Sequence, residues 1–267
     1  MQSRRSVVVL GVGLALLVGP AGAVGQQRIA DNSFLLEEAY NQEAGVVQHI
    51  STFARTRDGS WGYSFTSEWP LRNQRHQLSY TVPFQRGGGT GGFGDLALNY
   101  RWQAVGTETS PVWLSPRLTV TFPVGSAPAG RGAGGPGFEA AIPASIAWNS
   151  WLTTHFNAAL LVNPGAAGRD NPGVPTRIAR LGGSIVADVA PTVNLLVETL
   201  WATGHEADGL GSALATDHWV VSPGIRWAHQ VGTVQVVPGL AYTFDLDPAG
   251  DQDAVFLYLS FEYRFRR

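Results

Sequence analysis

The sequence predicts an all-β fold, a transmembrane antiparallel up-and-down β-barrel of about twelve strands, and three observations predict it. From Gly45 to the C-terminus, segments of roughly ten residues alternate apolar and polar side chains. The breaks between segments are alternately short and long, like the tight turns and longer loops on the two sides of an outer membrane. The chain carries 9 Trp, 7 Tyr and 12 Phe with only 14% charged residues, and aromatic rings concentrate where an apolar wall meets a wet rim. A soluble Greek-key sandwich also alternates, but has no reason to sort its loops by length.

Taken in order, residues 1–25 read as a cleavable signal peptide for export. Arg4 and Arg5 precede an apolar run from Val7 to Val18, followed by Gly19, Pro20 and the small residues Ala21, Gly22 and Ala23. That run is short for a spanning helix, and no later segment approaches about 18 unbroken apolar residues. With 0 Cys there is no lipid-bearing cysteine, disulfide or thiolate metal site. The balance of 18 basic and 20 acidic residues leaves no basic footprint for nucleic acid.

Residues 26–44 form an N-terminal periplasmic or plug segment. Asp31, Asn32 or Ser33 is placed to cap a short helix over Phe34 to Tyr40, with Glu37 and Glu38 near its positive end. The barrel occupies 45–267. Its first six strands are expected at Val46 to Arg55, Trp61 to Trp69, Arg75 to Phe84, Gly94 to Ala104, Val112 to Val124 and Phe138 to Trp148. The other six are expected at Trp151 to Val162, Arg177 to Val189, Thr192 to Thr203, Asp217 to Ala228, Thr233 to Phe244 and Ala254 to Phe265. An even count brings both chain ends to the periplasmic side. Pro83, Pro116, Pro123, Pro143, Pro223 and Pro238 fall inside these runs, where a missing ladder donor calls for bulges or strand ends.

The last segment fixes which face is which. Leu257, Leu259, Phe261, Tyr263 and Phe265 share one side, and Ser260, Glu262 and Arg264 share the other. With the apolar face outward, the lumen and constriction candidates are Glu68, Asp95, Asn99, Arg101, Arg117, His155, Arg180, Glu198, Arg226, Glu262 and Arg264; Gln77, Glu139, Asn157, Asp188 and Asn194 share that face. Arg101 and Arg117 come from neighbouring strands, as do Glu198 and Arg226, so cross-strand ion pairs either brace the wall or line a selective constriction. Trp61, Trp69, Tyr100, Trp102, Trp148, Trp201, Trp219, Trp227, Tyr242 and Phe244 near strand ends read as interface anchors, and Trp113 and Tyr258 as inward rings.

Other patterns carry less. Gly89, Gly91 and Gly94 match a dinucleotide-type spacing but lead into a strand, not the helix that phosphate binding requires. Asp245, Asp247, Asp251 and Asp253 lack the spacing and terminal Glu of a calcium loop. No cofactor or metal is expected. His49 and Ser51 have the two-residue spacing of an outer-face acyl-hydrolase pair, without an Asn on the following strand to orient the imidazole.

Three phrases carry a family resemblance. They are Asp31-Asn32-Ser33-Phe34-Leu35-Leu36-Glu37-Glu38-Ala39-Tyr40-Asn41-Gln42 followed by Gly45-Val46-Val47-Gln48-His49; Phe93-Gly94-Asp95-Leu96 leading to Tyr100-Arg101-Trp102; and Leu114-Ser115-Pro116-Arg117-Leu118 running to Phe122-Pro123-Val124-Gly125. With these the chain resembles the outer-membrane, transporter-like β-barrels of the MetA pathway of phenol degradation. The resemblance implies an outer-membrane barrel that passes small compounds, aromatic ones among them, and supplies no catalytic residues. The chain departs from the usual aromatic outer-membrane terminus, because Arg266 and Arg267 follow Phe265. The expected function is a passive or gated channel for small, aromatic or hydrophobic solutes, not an enzyme. Its expected partners are outer-membrane lipid, the solute and the outer-membrane assembly machinery. A structural or surface-binding barrel with a closed lumen is the second reading and an acyl hydrolase the third.

Overall fold

A computed structural model describes residues 29, 31–86, 89–107, 109–166, 173–207, 212–247 and 252–265. The expected signal peptide, the loop residue Asp251 and the terminal Arg266 and Arg267 lie outside the described residues. Twelve antiparallel strands close into a barrel. They are β1 Val46–Thr56, β2 Trp61–Leu71, β3 Asn73–Arg86, β4 Leu96–Trp102, β5 Arg117–Phe122, β6 Gly137–Ala147, β7 Leu152–Ala166, β8 Val174–Ala190, β9 Val193–Ala207, β10 Ala213–Trp227, β11 Val234–Asp245 and β12 Ala254–Arg264. Each strand pairs with its sequence neighbours, and β1 closes the ring on β12 in an unbroken register from Val46↔Arg264 to Thr56↔Ala254. Closure leaves no sheet edge with unpaired backbone groups, which is the condition for strands to cross a bilayer.

The start of β1 and the end of β12 lie together at one end of the barrel, with the short connections. The turn between β2 and β3 is tight enough to hold Arg72 at φ 63. The longer connections lie at the other end. The first of them is itself a tight hairpin, in which Asp58 accepts from Ser60 N at 2.9 Å and Gly59 takes φ 88.

Two expectations are corrected. The strand expected over Val112 to Val124 is broken into Val112–Leu114 and Arg117–Phe122. Pro116 has no N–H to give; its carbonyl accepts from Trp102 N at 2.9 Å, while Ser115 N turns to Pro143 O at 3.0 Å. The helix expected over Phe34 to Tyr40 does not form; the chain there is irregular and lies within the barrel. Its amides find acceptors on the wall instead of four residues back.

The molecule is inside out relative to a soluble domain. Leu118 and Ile142 are 62% and 52% exposed, whereas Arg226, His155, Glu198 and Gln48 are almost wholly buried. The inner and outer faces follow the period-two alternation most clearly along β6 and β12, where the outward side chains belong to an apolar coat and the inward ones to the lumen.

Candidate functional site: the lumen and its plug

Residues 31–43 fill part of the lumen, and side chains of the wall bond much of their backbone. The Glu198 carboxylate on β9 accepts from the amides of Phe34, Leu35 and Leu36 at 3.0–3.2 Å. Asn157 on β7 takes the Glu37 amide at 2.9 Å, Ser145 on β6 that of Ala39 at 2.8 Å, Gln103 that of Asn41 and Gln77 on β3 that of Gln42, both at 2.8 Å. The carbonyls are met in the same way. Arg226 donates to Asp31 O and Asn32 O at 2.6 and 2.7 Å, Asn157 to Glu37 O at 2.8 Å, and Arg101 to Glu38 O and Tyr40 O at 3.0 and 3.2 Å. A non-helical segment is tolerated at membrane depth only where protein supplies such partners. We call it the plug.

Charge adds to this docking where Glu37 and Glu43 of the plug meet wall arginines. Glu38 lies 3.3 Å from Arg226 and 3.6 Å from His155, whose Nδ1 faces Ser145 Oγ at 2.8 Å. Glu37 reaches both Arg101 and Arg117, and Glu43 pairs with Arg264 at 2.9 Å. Asp31 accepts from Gln48 at 2.6 Å and from the hydroxyls of Tyr258 and Ser260. Burial pushes the carboxyls of Asp31 and Glu38 up, Glu38 to about 8, against the opposing pull of Arg226.

Apolar packing seats the plug's middle. The Phe34 ring lies 5.6 Å from Phe256 and 5.2 Å from Tyr258, in a cluster with Ile50, Val186 and Leu196. The strands yield space where it packs. A Cβ at Gly224 would fall 2.6 Å from the Phe34 ring, and one at Gly182 2.3 Å from a Leu36 methyl. Beside the plug a cavity of about 190 Å³ remains, lined by Thr52, Thr66, Ser79, Thr81 and Asn99 from β1 to β4, and by Phe34, Ile50, Tyr258 and Arg117.

Most of the lumen candidates fall into three groups. Glu68, Arg101, Arg117 and Arg180 gather with Glu139 along one stretch of wall. Gln77 donates to Glu68 at 2.7 Å, Arg180 donates to Glu139 at 2.8 Å, and Arg117 also pairs with Glu139. His155, Glu198 and Arg226 hold the plug. Asn99 belongs to a hydroxyl ladder, taking Thr119 Oγ1 at 2.7 Å and giving to Ser79 Oγ at 3.1 Å. Asp95, Glu262 and Arg264 stand apart from these groups. Asp95 ties down the long loop after β5 by accepting from Gly125 N and Ala133 N at 2.9 and 2.7 Å. Glu262 sits opposite Gln48 near the terminal end, and Arg264 is at the rim.

Sequence reasoning missed Ser145, Gln103 and the inward glycines. Glycine inside a strand marks a close approach, so Gly182, Gly224 and Gly239 offered a signal. The inward rings are both engaged: Tyr258 packs on Phe34, and Trp113 stands edge-on to Tyr40 at 5.5 Å. On the outer face, His49 Nε2 faces the Tyr263 hydroxyl at 3.3 Å and Ser51 the Tyr63 hydroxyl at 3.2 Å. The pair that an acyl hydrolase would couple is thus divided between two tyrosines.

No family model matches the chain, and no curated protein matches it. Solved structures do. The COG4313 outer membrane channel from Pseudomonas putida F1 aligns with TM-score 0.58 at 12% identity, over 84% of this chain and 97% of that one. The NanC porin aligns at 0.54 and 8% identity, over 81% and 98%. The KdgM porin aligns at 0.52 and 7%, over 82% and 99%. At these identities the likeness shows the fold alone, a porin-type barrel.

Proposed function

We propose that the chain is an exported outer-membrane channel for small solutes, closed in this conformation by its own N-terminal plug. The observation that carries the reading is a polar lumen whose largest occupant is a tethered segment rather than wall side chains. A twelve-strand barrel is wider than the eight-strand kind that side chains alone fill, and narrower than open porins. A tethered occupant suits a gate. The resemblance to the MetA-pathway barrels favours small aromatic or hydrophobic solutes, and the mixed hydroxyl and apolar lining of the cavity suits them. The terminal end would face the periplasm, and residues 1–25 would be removed on export.

The second reading, a structural or surface-binding barrel, draws on the many bonds between the plug's backbone and the wall. Planar-bilayer conductance separates the two. The channel reading expects small or intermittent currents from the full mature chain and large steady ones after deletion of residues 26–43. Absence of current from both forms overturns it. Liposome swelling with phenolic, sugar and fatty-acid solutes then ranks the cargo.

A further inference from the structure

Glu37 belongs to the plug, yet its carboxylate supplies a charge that the wall lacks. Arg101 and Arg117 face each other in register on β4 and β5. Arg180 on β8 joins them through Glu139, which it meets at 2.8 Å and which also pairs with Arg117. Arg101 lies 3.6 Å from Glu68. The wall thus presents three guanidinium groups and two carboxylates. Glu37 adds the third, with one oxygen on Arg117 and the other 3.6 Å from Arg101 Nη1. Its fit is incomplete: that second oxygen has no hydrogen-bond partner, and neither has the buried Nε of Arg117.

If the plug withdraws, the patch is left with one uncompensated positive charge, which a new anion relieves. Two guanidinium groups converging on one point suit a carboxylate, which accepts several N–H bonds at once. Glu37 and Arg117 both border the 190 Å³ cavity, whose hydroxyl and apolar lining leaves room for the uncharged body of a small organic acid.

We propose that Glu37 holds the place of a monocarboxylate solute, and that Arg101 and Arg117 are the lumen's carboxylate site. Exchange of one carboxylate for another keeps the patch neutral throughout. The physiological role of the site rests on the channel reading, whereas binding itself does not.

The test uses purified full-length mature protein in detergent, with benzoate as probe and benzamide as its uncharged counterpart. Glu37→Gln removes the resident charge. At benzoate concentrations well above its dissociation constant, the unfolding midpoint of E37Q should rise by about 3 °C or more, while benzamide leaves it within about 1 °C. Wild type should respond less than E37Q, because Glu37 competes. E37Q/R117Q should lose the response. Equal responses to benzoate and benzamide, or a benzoate response that survives R117Q, overturn the proposal. If E37Q does not assemble, Glu37→Asp, which keeps the charge but shortens its reach, is read in the same assay with the same expected order. The same samples in planar bilayers report on conduction: absence of current rejects the channel while leaving the binding result standing.

Discussion

At Gly224 and Gly182, missing β-carbons make room for the plug, so single substitutions there should press first on the plug, with Ala241 Cβ at 3.0 Å and Thr199 O at 3.2 Å the nearest wall atoms met next. Gly224→Val would drive a branched side chain into the Phe34 ring, which has Phe256 and Tyr258 behind it. The expected result is a larger open fraction in single-channel records with unchanged heat-modifiable migration. Phe34→Ala acts from the other side, losing ring packing worth about 3–5 kcal/mol to the docked state, and should open the channel likewise. The pH response follows from Glu38, which faces Arg226 on β10 and His155 on β7, and from Asp31 beside Tyr258. Docked, burial holds the Glu38 carboxyl well above the usual carboxylate range despite Arg226; undocked in water it titrates near about 4.3. Docking therefore takes up a proton between those values. Its contribution is full below the lower one and is lost as pH rises through the upper one, and Asp31 is shifted in the same direction. Open probability should increase from pH 5 to pH 9, and a decrease would mean that Glu38 docks as the anion.

At the scale of elements, the strands were legible in the sequence and the conformation of the plug was not. Period-two alternation is local, so β12 can be read from Ala254, Leu257, Ser260 and Glu262 without its neighbours. The capping pattern at Asp31, Asn32 and Ser33 is local too, and predicted a helix. The acceptors that prevail are Glu198, Asn157, Ser145 and Gln77, each 35 or more residues away. No local reading weighs them, and a tertiary partner that meets an amide at 2.8 Å removes the need for a helical carbonyl. The inward arginines were legible as a face, but their partner Glu37 was not, because a helix would have turned it elsewhere. The dependence on Glu198 is testable. Glu198→Ala leaves the amides of Phe34, Leu35 and Leu36 without acceptors, at about 1–3 kcal/mol for each buried group. Hydrogen exchange at those three amides should accelerate at least about tenfold, while the amides of β8 and β10 keep their protection. Slow exchange at all three would show that the wall is not what holds the plug.

For the whole molecule, the inverted distribution of side chains fixes which solvent the outer face requires. A barrel with Leu118, Ile142 and Phe156 at half exposure or more, around a lumen of buried arginines and glutamates, is stable only if lipid covers the coat. The energy of an outward charge should then depend on depth, which it would not in water. Ile142 is at the centre of β6 and Trp148 just beyond its end, both pointing outward. In lipid, arginine at the bilayer midplane costs about 2–4 kcal/mol and near an interface about 0–1. Ile142→Arg should therefore lower stability far more than Trp148→Arg when both are unfolded by urea from lipid vesicles. The inward Ala141, next in sequence to Ile142, provides the control: Ala141→Ser at the same depth faces the polar lumen and should cost little. Equal losses for Ile142→Arg and Trp148→Arg would mean that the outer face does not meet a graded bilayer, and the channel reading would fail with the membrane placement on which it depends.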